Sequence, residues 1–152
     1  MNAINLSMND VIGRKTMLHE KTVQDYVKKL HEQKELYEKI LGFSHKEQEL
    51  LCSSNPRIGK VISFLSEKQH LLSSIGIIEN DLIPLRESIK KQGVHINSRS
   101  SIASLHESIG TLLTELLKID SENETLLQRQ LHMTKPTVDS KRAIRAYQTL
   151  GK

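Results

Sequence analysis

The residues of this chain best equipped for chemistry are seven histidines and one cysteine, and their spacing argues against that use. His19, His31, His45, His70, His95, His106 and His132 include no pair three or four positions apart, the spacing that would set two imidazoles on one helix face as metal ligands. With Cys52 as the only thiol there is no zinc spacing to propose, so no metal and no other cofactor is expected. Cys52 as a nucleophile would need a base and oxyanion donors; its neighbours are Ser53 and Ser54, without a glycine-rich motif. No phosphate loop is present, and the many Glu and Lys residues read as solvated faces opposite apolar stripes. The expectation is a protein that is not an enzyme.

One polar residue stands out from its surroundings. In Ser101 to Met133 the residues Ile102, Leu105, Ile109, Leu112, Leu116, Ile119, Asn123, Leu126, Gln130 and Met133 follow at steps of three and four, the rhythm of a helical seam. Asn123 breaks the apolar stripe. An asparagine there fixes register at some cost in stability, or else hydrogen-bonds a bound partner. Leu113, Leu117, Leu127 and Leu131 sit one position beyond seam residues and widen the stripe into the broad face of a bundle helix.

Such a face must be covered, and the rest of the chain supplies the cover. Aromatic residues make up only 3%, and 7 glycines and 3 prolines leave few turns, so long helices are expected. A first helix is expected from Leu18 to Leu51, after a flexible lead-in over residues 1–17. Its seam runs through Val23, Tyr26, Leu30, Tyr37, Ile40 and Leu51, with Gln33, Ser44 and Glu47 also in seam positions. The run Cys52 to Arg57 offers capping residues in Ser53, Ser54 and Asn55, and Pro56 suits the first turn of a second helix. That helix carries Ile58, Ile62, Leu65, Leu72, Ile75, Leu82, Leu85 and Ile89, and Gly76 and Pro84 predict a kink or break. Gly93 is placed to end it in the left-handed conformation. The fold expected is all-α: an elongated antiparallel bundle of three long helices over residues 18–133, the second kinked near Pro84, with a mobile or short-helical C-terminal tail.

That tail, residues 134–152, holds five cations, Lys135, Lys141, Arg142, Arg145 and Lys152, against Asp139. It therefore accounts for the whole formal charge of +4 and leaves the bundle neutral, so no basic face calls for a nucleic acid. Ile144, Tyr147 and Leu150 lie at helical spacing within it, either folding back on the bundle or becoming ordered with a partner. No run has the eighteen or so apolar residues of a membrane span. The first ten residues carry no signal-peptide pattern, and a lone cysteine agrees with a reducing compartment, so a cytoplasmic location is expected.

Three stretches carry a family likeness: KELYEKILGFSHKEQELL (Lys34 to Leu51), SEKQHLLSSIGIIENDL (Ser66 to Leu82) and DSENETLLQRQL (Asp120 to Leu131). In their alternation of Leu, Glu and Lys, and in a Glu-Asn followed by a leucine pair near the end of the last long helix, they resemble the FlgN family of flagellar export chaperones. The resemblance implies a small cytosolic helical protein of type III secretion that binds hook-associated (filament-junction) proteins through its C-terminal portion and delivers them to the export apparatus. A client's amphipathic terminal helix would then lie along Asn123, Leu126, Leu127 and Leu131, a ridge left partly open, with Ile144, Tyr147 and Leu150 closing over it. The alternative is a structural or oligomerising coiled-coil scaffold. A monomer or weak homodimer fits the chaperone, and a tight homo-oligomer fits the scaffold.

Overall fold

A computed structural model describes residues 8–93, 100–133 and 138–150, with side-chain surroundings for residues 20–93, 100–130 and 141–150. All four described elements are helices: α1 (Met8–Leu51), α2 (Ile58–Lys91), α3 (Ser100–Met133) and α4 (Val138–Leu150). The 44 residues of α1 reach roughly 66 Å at 1.5 Å per residue, and α2 and α3 both pack along it.

The apolar seam is built in three tiers that reveal the direction of each helix. At one end Val23, Tyr26 and Leu30 of α1 meet Ile78, Leu82 and Ile89 of α2 and Ile102, Leu105 and Ile109 of α3. In the middle Ile40 and Leu41 meet Ile75, Leu116 and Ile119. At the far end Leu51, Val61, Leu65 and Leu127 form the third tier, and here α4 joins them with Ala143 and Tyr147. Numbers that rise along α1 and α3 while falling along α2 mean an up-down-up bundle, as the short connections require.

Three boundaries differ from the periodicity. First, α1 begins at Met8, so most of the lead-in assigned to residues 1–17 is helical. Extending a nucleated helix needs no new nucleus, and Gly13 costs only about 1 kcal/mol against alanine. Second, Pro56 lies before α2 rather than in its first turn: Arg57 is the N-cap, without a capping side chain, and the Ser53 hydroxyl instead accepts the Asn55 N–H at 3.2 Å. Third, α2 runs from Ile58 to Lys91 as one helix through Gly76 and Pro84, with no break. Pro84 is exposed, and the bond it forgoes, to the Asn80 carbonyl, falls on the solvent side where its loss is cheapest. Gly93 ends the helix as its type predicts, at φ +74°, with its N–H donating to the Lys90 carbonyl at 3.0 Å.

Candidate functional site

Between the middle and far tiers the seam turns polar, and each of the four helices contributes a side chain. On α1, Ser44 and Glu47 continue the stripe of Ile40 and Leu51, which is why their side chains point inward. On α2, Lys68 stands three residues after Leu65 and seven before Ile75, and it is fully buried. On α3, Asn123 stands in the seam four residues after Ile119 with Asp120 beside that seam, and α4 brings Tyr147.

The geometry is a closed chain of contacts. The Lys68 ammonium donates to Glu47 Oε2 at 3.2 Å and to Asp120 Oδ1 at 2.8 Å, and lies 5.5 Å from the Tyr147 ring centroid. The Tyr147 hydroxyl donates to Glu47 Oε2 at 2.6 Å. Ser44 Oγ donates to Asp120 Oδ1 at 2.8 Å, and Asn123 Nδ2 to the Ser44 carbonyl at 2.9 Å. Two carboxylates thus share one ammonium in a site largely removed from water. Two buried acceptors of the site, Glu47 Oε1 and Asn123 Oδ1, receive no hydrogen bond from the described residues.

Burial dominates the electrostatics. It pushes the Glu47 carboxyl up from 4.5 to about 7, against the pull of the Lys68 charge and the Tyr147 hydrogen bond and with a further push from Asp120. Burial, then the Glu47 charge, drives the Tyr147 phenol well above its ordinary range, so its hydroxyl serves as a donor. The arrangement is suited to holding or releasing a proton at Glu47. Among the described residues no three of His, Cys, Asp and Glu gather where a metal could sit, and Cys52 is exposed at the end of α1.

The residues expected to bind a partner are brought together at this end, though not as an open ridge. Asn123, Leu127 and Tyr147 are buried within the chain, Leu127 at 0% and Tyr147 at 2% exposure. Leu126, Ile144 and Leu150 are half-buried and pack on the same tier; the Leu131 side chain lies outside the described residues. The expectation of a partly open stripe is therefore corrected over Leu127: α4 lies against α2 and α3 and covers it. Leu126 faces another way, into a shallow furrow of about 360 Å³ between α1 and α3 that is also lined by Gln48, Glu122 and Arg129.

The reading of the many Glu and Lys residues as solvated faces is overturned at Lys68, which is fully buried, whereas Glu47 is buried as its seam position implied. Their seam register was visible in the chain, and a lysine and a glutamate on two seams are each other's natural compensation. No family model, curated protein or solved structure matches this chain.

Proposed function

We propose that the chain is a cytoplasmic export chaperone of the FlgN kind, which holds a secreted flagellar hook-associated protein by an amphipathic terminal helix and passes it to the type III export apparatus. The observation that carries this reading is the seat of α4. Thirteen residues, apolar on the side of Ala143, Ile144, Tyr147 and Leu150 and basic at Lys141, Arg142 and Arg145, lie across α2 and α3 above Leu127. A surface that accepts one short amphipathic helix has the shape and apolar lining to accept another. The guest helix takes the place of α4 over Leu127 and Asn123, and α4 is displaced from its seat.

The test is titration of the full chain with the terminal helix of a hook-associated protein from the same cell. Saturable one-to-one binding, together with loss of amide protection in α4, supports the reading. No binding, or binding that leaves α4 protection unchanged, overturns it.

A second reading, a self-assembling scaffold, is favoured by Ile77, Ile83 and Leu117, which stay exposed at 64%, 49% and 55%. Sedimentation separates the two. A tight homo-oligomer that buries these side chains supports the scaffold, and a monomer or weak homodimer supports the chaperone.

A further inference from the structure

The polar cluster does more than interrupt the seam. Of the three helices that face Glu47, α2 presents Lys68, α3 presents Asp120 and Asn123, and α4 presents Tyr147. The Tyr147 phenol, driven well above its ordinary range, keeps its proton as the donor to Glu47, and the group whose charge is free to change between weakly acidic and neutral pH is the Glu47 carboxyl. With Glu47 ionised, its buried carboxylate and the half-buried Asp120 carboxylate face one ammonium, and Glu47 Oε1 is an anionic oxygen with no donor among the described residues. With Glu47 protonated, the charges balance, and the acid has a hydrogen to offer in a cluster that holds another orphan acceptor, Asn123 Oδ1. Tyr147 can donate to Oε2 in either state.

The cluster also has a hinged side. Glu47, Lys68 and Asp120 stand on helices fixed along their length by the other two tiers, whereas α4 is anchored only at this end, against α2 and α3. When the ionised carboxylate has to be hydrated, α4 is the element that can leave. Its departure opens the cluster to water without disturbing the apolar tiers.

We infer that α4 is a proton-linked latch: it is seated over the α2–α3 surface while Glu47 is protonated and released as Glu47 loses its proton to solvent. This property belongs to the chain itself and stands whether or not the guest is a flagellar protein. Its direction follows from linkage. The closed state holds the Glu47 proton more tightly than the open state, so the opening equilibrium rises with pH between the open-state and closed-state titrations. The slope is about tenfold per pH unit for one proton, and the curve levels off above them.

Hydrogen exchange of the α4 amides in the full chain, corrected for the intrinsic effect of pH, reads this directly. From pH 5 to pH 7 the protection of α4 is expected to fall by about tenfold per unit, relative to amides in the Ile78–Leu82 region of α2. Carboxyl NMR of Glu47 in the unaltered protein should give a midpoint that coincides with the end of that fall. Glu47→Gln should flatten the profile, and Asp120→Asn should leave the slope in place. A flat α4 profile in the unaltered protein overturns the latch, as does a Glu47 midpoint near 4.5. So does a slope that survives Glu47→Gln and vanishes in Asp120→Asn. The wild-type measurements decide the matter even where a variant fails to fold.

Discussion

The hydroxyl of Tyr147 on α4 donates to the carboxylate of Glu47 on α1 at 2.6 Å, joining residues a hundred positions apart in a buried site. Tyr147→Phe keeps the ring in the far tier and over Lys68 while removing that donor. A hydrogen bond to an ionisable group contributes roughly 1.5–3 kcal/mol, so urea unfolding of the variant should show a loss of that size. Exchange protection should fall first in α4. An unchanged midpoint would mean that the contact contributes nothing.

The pH dependence of stability has a definite sign. Glu47 binds its proton more tightly folded, with a titration near 7, than at its ordinary 4.5, so folding takes up a proton in that window. Its contribution is fully present below pH 4.5 and is lost as pH rises to about 7, an effect on the order of 3 kcal/mol. His106 works in the opposite sense. Burial, and then Arg86, holds its imidazole below 6.5, so its contribution is present above that value and lost on acidification. The quantity to measure is therefore the difference in unfolding free energy between the unaltered protein and Glu47→Gln. It should decline from pH 4.5 to 7 and then stay flat; a rise with pH would reverse the assignment.

Among the described residues, Lys68 is the only cation in direct contact with either carboxylate of the cluster. Lys68→Met retains the length of the side chain and strips away the charge, leaving two carboxylates to repel each other in a dry site. A loss of about 3–5 kcal/mol is expected by denaturant titration. Adding Glu47→Leu and Asp120→Leu to that variant should restore most of it, because apolar packing often equals or exceeds a buried ion pair. Failure of the triple variant to recover would assign the cluster a stabilising role of its own.

Asn123 sits between Ser44 and Tyr147, donating to the Ser44 carbonyl at 2.9 Å. Asn123→Asp is nearly isosteric, yet it exchanges that donor for a third carboxylate. At pH 7 the variant should lose about 3 kcal/mol, much of it recovered at pH 5, where the added acid can be protonated. Thermal melts at the two pH values check this, and equal losses at both would show that charge is not the cause.

The parts of this fold that follow from periodicity were legible in the chain. The step of three and four from Ile102 to Gln130 placed Asn123 in the seam, and it is fully buried. The same register put Gln33, Ser44 and Glu47 inside α1 despite their polarity, and all three are buried. Gly93 ends α2 because its left-handed backbone is strained for other residues. What the pattern did not convey was pairing between segments far apart in the chain. Lys68 occupies a seam position as plainly as Leu65, but a lysine is normally placed in solvent unless its partners are known, and those partners are 21 and 52 residues away. The seat of α4 was open for a related reason: the apolar rhythm of Ile144, Tyr147 and Leu150 in a basic tail reads equally as a docked helix or as one awaiting a partner. Contact with Leu51, Val61 and Leu127 decides for docking. The start of α1 at Met8 escaped notice because helix propagation depends on backbone propensity, which leaves no stripe.

The distance along the chain between the acid and its phenol also has a meaning in time. At synthesis rates of about 5–20 residues per second, Glu47 emerges from the ribosome roughly 5–20 s before Tyr147 does. Leu127 emerges only about 1–4 s before Tyr147, and in that shorter interval the nascent molecule displays an unfinished flank with a wet carboxylate at its centre. Whatever reaches Leu127 first inside a growing cell competes with a helix that has not yet been translated.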